Sequence, residues 1–220
     1  MRVLTRSLAA LGLAALAGTT SLGAQDATGG VGAFRFYLGG QAGALVFETA
    51  AQNSGGVPLA GAHALITAKR AALLIQVDAG LGNNELAAYA DSTEVDGVRT
   101  VSFDRIMRYQ AVLMAYPLKS HVQPFFGVGF GIMTLSSTEI EGTFVDDAAA
   151  AEAEDIVDEL GSTGFASFTA GLEFRVGRLN AFGQYLVTTA PADGRLIIGA
   201  THTLAGGLRF SIGKANEGFE

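Results

Sequence analysis

The side chains in this sequence that can do chemistry fall into a few small groups. There are three histidines, His63, His121 and His202. An imidazole beside a serine hydroxyl and a carboxylate activates that hydroxyl for attack on an ester carbonyl. His63 with Asp91 and Ser92, the "DS" of the interval that follows, is the set the chain order allows. Long connections bring such residues together by chance as well, so only their geometry decides. A second group is the charged residues within strand-like stretches: Arg35, Arg108, Arg175 and Arg209 against Asp78, Asp104 and Glu173. On an enclosed face they would either line a polar path or pair and fill it, because an isolated buried charge is costly. A third is the run from Thr138 to Leu160, with nine acidic residues and no basic one. It lacks the D-x-D-x-D-G spacing of a calcium loop and reads first as a solvated acidic connection. Its second reading is a site for divalent cations or a basic partner. "GVGFG" (Gly127 to Gly131) has the glycines of a nucleotide loop, but no helix follows to meet a pyrophosphate, so that reading is dropped.

The elements that must position these residues are strands. Period-two alternation recurs in eight segments, near 34–48, 60–69, 71–81, 100–116, 121–137, 162–176, 180–190 and 199–213, broken by Gly, Asn, Asp, Pro or Ser. In the sixth, Ala166, Phe168, Ala170, Leu172, Phe174 and Val176 alternate with Ser167, Thr169, Gly171, Glu173 and Arg175. The first and eighth divide in the same way. In the fourth, Phe103, Met107, Tyr109 and Leu113 fall opposite Ser102, Asp104, Arg108 and Gln110. The stretch "VQPFFGVGFGIM" (Val122 to Met133) sets Phe126, Val128, Phe130 and Ile132 against three glycines; those glycines and Pro124 argue against a helix. Connections alternate short and long. Lys69-Arg70, "PLKS" and "GRLN" are short, each with a Lys or Arg, and the one after the fifth segment is the longest. Within it, Asp146 or Asp147 is placed to cap a short helix with Ile156 and Leu160 on one face and Gly161 as its stop.

Composition says what surrounds these strands. Apolar residues make up 49% of the 220-residue chain and charged residues 16%, well under the usual quarter. A water-soluble β-protein studs its outer face with charge, and this chain has three lysines. The polar face is mostly Gly, Thr, Ser and Gln, and Gly39, Gly43, Gly127, Gly129, Gly131, Gly171 and Gly207 all fall on it. An eight-stranded barrel is just wide enough for side chains to fill, so glycines relieve crowding inside. Segments of this length also match a tilted membrane span. The expected fold is an all-β, eight-stranded antiparallel up-and-down transmembrane β-barrel with its apolar face toward lipid.

The first residues read as a secretory signal over 1–24. Arg2 and Arg6 precede the apolar "LAALGLAALAG", and cleavage is expected after Ala24. The barrel is then expected over 25–213 and a short periplasmic tail over 214–220. The remainder after residue 24 carries 12 basic and 21 acidic residues, which argues against gripping nucleic acid. Cysteine is absent, compatible with export without disulfides.

The chain from residue 25 resembles the small outer-membrane β-barrel proteins of Gram-negative bacteria, the OmpA-barrel, OmpX and OmpW type. "QPFFGVGFGI" is similar to their glycine-rich fifth strand and "LAGGLRFSIG" (Leu204 to Gly213) to their closing strand. Two departures stand out. "KANEGFE" follows where the family's chain usually ends on an aromatic residue. Tryptophan is absent, leaving an aromatic girdle to Tyr37, Tyr109, Tyr116, Tyr185 and phenylalanines. The resemblance implies a bacterial outer-membrane location, with outer-membrane lipids and lipopolysaccharide as surroundings and a monomer as the expected state. It leads to a non-enzymatic protein with a filled interior, acting through its outer loops in envelope structure, surface contact or adhesion. The alternatives are a narrow channel for small apolar solutes, in which Gly127, Gly129 and Gly131 would matter, and a lipid A-modifying enzyme using His63. No H-x-S signature supports the last. His121 falls at a short turn, where an interfacial place is expected. No residue is assigned as catalytic, cofactor-binding or metal-ligating, and no cofactor is expected.

Overall fold

Backbone groups in so apolar a chain must all find partners, and strands achieve this by pairing until the sheet has no edge. The computed structural model describes residues 34–212 except positions 53, 95 and 119. The expected signal segment 1–24 and tail 214–220 lie outside the described residues. Eight antiparallel strands, β1 (Arg35–Thr49), β2 (Gly55–Ala68), β3 (Ala71–Ala90), β4 (Val98–Ala115), β5 (Val122–Ile140), β6 (Ser162–Val176), β7 (Leu179–Thr188) and β8 (Ile197–Ile212), close into a barrel in chain order, with β8 returning to β1. One helix, α1 (Asp147–Leu160), stands in the connection between β5 and β6. No helix among the described residues is long and apolar enough to cross a membrane.

The register fixes the shape. Stepping sideways from Phe36 through Ile66, Leu73, Leu113, Val128, Phe168, Val187 and His202 returns to β1 at Val46, ten residues above the start. At about 3.3 Å per residue and about 4.8 Å between strands, that stagger tilts the strands by roughly 40°. The stretch from Phe36 to Val46 then rises by roughly 25 Å, the height of the apolar band on a membrane barrel. Every member of this path but His202 is apolar, and large side chains such as Phe126, Phe130, Phe168, Leu204 and Phe210 are exposed on the outer wall. The expected orientation holds: Arg108, Glu173 and Arg209 are buried at 1%, 0% and 1% exposure while Phe130 is 73% exposed.

Three expectations about the faces are corrected. Phe103 is buried inside and Asp104 is exposed, because β3 carries an irregularity between Leu81 and Glu85 opposite this part of β4. Ile106, Arg108 and Gln110 point inward on even numbers, whereas Phe103, Val101 and Arg99 are buried on odd ones. Asp104 instead accepts a hydrogen bond from the Asn84 N–H at 2.9 Å. Arg35, at the first position of β1, is exposed as well. Of the tyrosines expected in a girdle, Tyr37 and Tyr116 face inward and are buried, leaving Tyr109 and Tyr185 outside.

Candidate functional site: the barrel interior and the loop end

The interior is a stack of alternating polar and apolar layers. Nearest the short turns, Glu173 on β6 accepts from Arg209 (2.5 Å), Arg175 (2.8 Å), Asn180 (3.0 Å) and the Tyr116 hydroxyl (3.2 Å). Arg209 also donates from Nε to His63 Nε2 at 3.1 Å and lies 3.9 Å over the Phe182 ring. Around and above this network Leu65, Leu74, Val112, Met114, Phe125 and Phe182 form an apolar layer. The next polar layer centres on Asp78, which accepts from Gln41 (2.6 Å), Gln76 (2.5 Å) and Arg108 (2.7 Å). Arg108 reaches on to Thr203 at 2.8 Å, and Gln184 donates to Gln41 at 3.1 Å, so the chain of bonds crosses the lumen. Leu45, Phe47, Leu59, Phe103, Ile106 and Met133 close the loop-side half. Each buried charge therefore has a partner of opposite sign and further hydrogen bonds, the condition under which such charges are tolerated.

Glycines make the close packing possible. A Cβ added at Gly129 would lie 2.8 Å from Val112 Cγ2 and 3.0 Å from Ser167 Oγ; at Gly131 it would lie 2.6 Å from Phe165 Cζ. At Gly127 it would meet Val112 Cγ1 at 2.8 Å. The glycine strip of β5 therefore faces packed side chains and not an opening.

The expected chemical groupings resolve differently. His63 lies well inside β2, paired in register with Gln76, with its ring against Phe182 and its Nε2 accepting from Arg209. Asp91 lies beyond the far end of β3, where it accepts from Arg99 Nε at 2.6 Å and from the Thr93 hydroxyl and amide. The conceivable His63, Asp91 and Ser92 set is thus not assembled, because the strand register places its members at different depths. His202 is on the outer wall, where its Nδ1 meets the Tyr185 hydroxyl at 2.6 Å. His121 is exposed at a short turn.

The acidic connection holds the short helix expected between Asp146 and Gly161, with its acidic residues mostly exposed to solvent. Asp146 caps α1 by accepting from the Ala149 N–H at 2.8 Å, and Gly161 ends it by donating to Val157 O. Ala153 and Val157 are the residues it buries, and Val157 joins the loop-side apolar cluster, with Leu160 packed against it; Ile156 is 38% exposed. Its last turn has no basic residue of its own, and Arg195 supplies a cation there by donating to the Glu159 carbonyl. Arg99 draws the β3–β4 connection against α1's approach: it pairs with Asp91 and with Glu94 (2.8 Å) and lies 4.5 Å over the Phe144 ring. Three donors hold the Asp91 carboxyl down to about 2, the Thr93 hydroxyl first and Arg99 next, then the Thr93 amide. Between this clasp and α1 lies a cleft of about 660 Å³, lined by Tyr89, Ser92, Arg99, Glu152, Ile156 and Arg195 among others. Among the described residues, no three His, Asp or Glu side chains are grouped to hold a metal ion. The Arg99 clasp went unread in the sequence, where its one visible trace was a lone arginine beside "DSTEVDG".

No family model matches the sequence, and no curated protein matches it. Solved structures do. Neisserial surface protein A aligns with a TM-score of 0.54 at 10% identity, over 80% of this chain and 97% of that one. The fold is that of an outer-membrane β-barrel. The N-terminal β-barrel domain of Pseudomonas aeruginosa OprF (TM-score 0.45, 10% identity, 80% of this chain and 97% of that one) is also found. So is the outer membrane protein OprG from Pseudomonas aeruginosa (0.39, 10%, 84% and 99%). At these identities the likeness is one of fold, and what this outer-membrane-type barrel does rests on its own residues.

Proposed function

We propose that the chain is an integral protein of the bacterial outer membrane, non-enzymatic, whose barrel is a closed anchor and whose activity lies in its loop end: envelope structure, surface contact or adhesion. The observation that carries this reading is the lumen. Two ion-paired layers, around Glu173 and around Asp78, alternate with two apolar clusters and leave side chains in place of a path. The outer wall supports the membrane reading, since water has no use for a band of Phe, Leu, Val and Ile about 25 Å high. The short turns then face the periplasm, and α1 with the Arg99 clasp faces outward. The test is conductance: the folded protein in planar bilayers gives no steady ion current, and a steady current that Asp78→Asn and Glu173→Gln alter would overturn the closed-anchor reading.

A further inference from the structure

Among the described residues, the two ends of this barrel differ in charge as sharply as in length. Among the described residues of the turn end, Arg35, Lys69, Arg70 and Arg178 are exposed and Arg175 is partly so, while the carboxylate described among them, Glu173, is buried in the plug. Arg35 and Arg178 each have a partner of their own, and Lys69 and Arg70 carry the most accessible charge. All other acidic residues described, apart from the buried Asp78, lie toward the loops. The cations sit on a rigid base. Tyr116 N donates to Arg70 O at 2.8 Å, Arg175 N to His121 O at 3.0 Å and Ser211 N to Arg178 O at 2.9 Å, tying each turn to the strand beside it. Directly above them runs the exposed apolar belt of Phe36, Val122, Val176, Leu179 and Ile212. Cations carried on backbone-tied turns just below an apolar belt are placed where a bilayer puts the phosphates of its headgroups, and basic residues there are each drawn to anionic lipid.

We propose that the turn end is a binding surface for the phosphodiester headgroups of anionic phospholipids in the leaflet it faces. This rests on the membrane reading above and adds a lipid class and a side to it. The loop end, rich in carboxylate, has no such affinity.

The test uses the folded protein in vesicles of phosphatidylcholine and phosphatidylglycerol in equal parts, with retained lipid read by native mass spectrometry. The wild type keeps phosphatidylglycerol over phosphatidylcholine. The Lys69→Gln, Arg70→Gln, Arg178→Gln variant loses that preference by about fivefold per charge removed. Arg105→Gln, at the loop-side half of β4, keeps it. Equal retention of both lipids by the wild type, or an unchanged preference in the triple variant, overturns the proposal while leaving the anchor intact. If excess inorganic phosphate displaces the lipid, the surface recognises the free anion and the lipid assignment falls. A protein that alkaline carbonate washes off the vesicles would refute the membrane reading itself, a result separate from any lipid preference.

Discussion

The turn end and the loop end of this barrel are built from the same closed sheet but held by different forces. At the turn end, connections such as Lys69-Arg70 and Gly177-Arg178 are as short as hairpins permit, and the lumen is tied by buried charge. At the loop end, β3, β4 and β5 run on past irregularities near Leu81–Glu85 and Ser137, and the lumen is closed by apolar side chains with α1 laid over them. Buried ion pairs tolerate little rearrangement, because removing one partner strands the other. An apolar cluster under a helix tolerates local opening, since its contacts are many and weak. The difference separates a rigid base from an end that can adapt to what it meets.

The largest effect should come from breaking the base. Glu173→Gln leaves Arg209, fully buried, without its counter-ion and should cost about 3–5 kcal/mol in urea unfolding of the micelle-bound barrel. A smaller loss would mean that the turn-end network is solvated in solution and the contrast between the ends is overstated. Next comes the strip between the ends. Gly131→Leu forces atoms into Phe165 and Gln110 and should cost about 1–3 kcal/mol by the same unfolding measurement. Were the strip a channel wall, the change would alter uptake of an apolar solute with little loss of stability.

At the loop end the same size of chemical change should stay local. Val157→Ala removes a side chain that is 1% exposed and should cost about 1–2 kcal/mol. The loss should show as faster hydrogen exchange in α1 with the strand amides unchanged. Exchange that accelerates throughout the barrel would erase the distinction between the ends. Asp146→Ala, which removes the α1 cap, should loosen the helix by about 1 kcal/mol with the same local signature in exchange.

How much of this was legible in the sequence depended on parity. Where a strand keeps one inward face throughout, as β6 does from Ser167 to Glu173, alternation alone placed every side chain correctly. It failed where a backbone irregularity changes the count: Phe103 and Asp104 exchanged sides because β3 and β4 slip against each other there, and period-two reading has no means of detecting a slip. β2 was underread for another reason. Val57, Leu59 and Leu65 point inward while alanines and Pro58 face out, so both faces are apolar and the alternation vanishes. The plug was legible only as a set of charged residues. Which pairs form depends on the register between strands, a property of no single segment: Asp78 stands directly opposite Arg108 across β3 and β4, and Glu173 on β6 reaches Arg209 on β8 past β7. The α1 cap and stop were legible because they are local; its docking through Val157 was not, because that face is defined by the mouth it covers.

The smallest effect concerns the clasp that holds the β3–β4 connection toward α1. Asp91 is held at about 2 against an ordinary 3.8 by the Thr93 hydroxyl, Arg99 and the Thr93 amide. A carboxyl whose folded value lies below its unfolded one stabilises at pH above the unfolded value and loses that contribution as pH falls through the folded one. The clasp should therefore be intact at pH 5, weaken between about 4 and 2, and be released below that, while the strands remain folded. The amide proton of Thr93, bonded to Asp91 Oδ1 at 2.8 Å, reports this directly by NMR. Its chemical shift should titrate with a midpoint near 2 and lose that step in Asp91→Asn. A midpoint at the ordinary carboxylate value would show that Arg99 and Thr93 do not engage Asp91 in solution. The loop end would then adapt even more freely than its apolar closure implies.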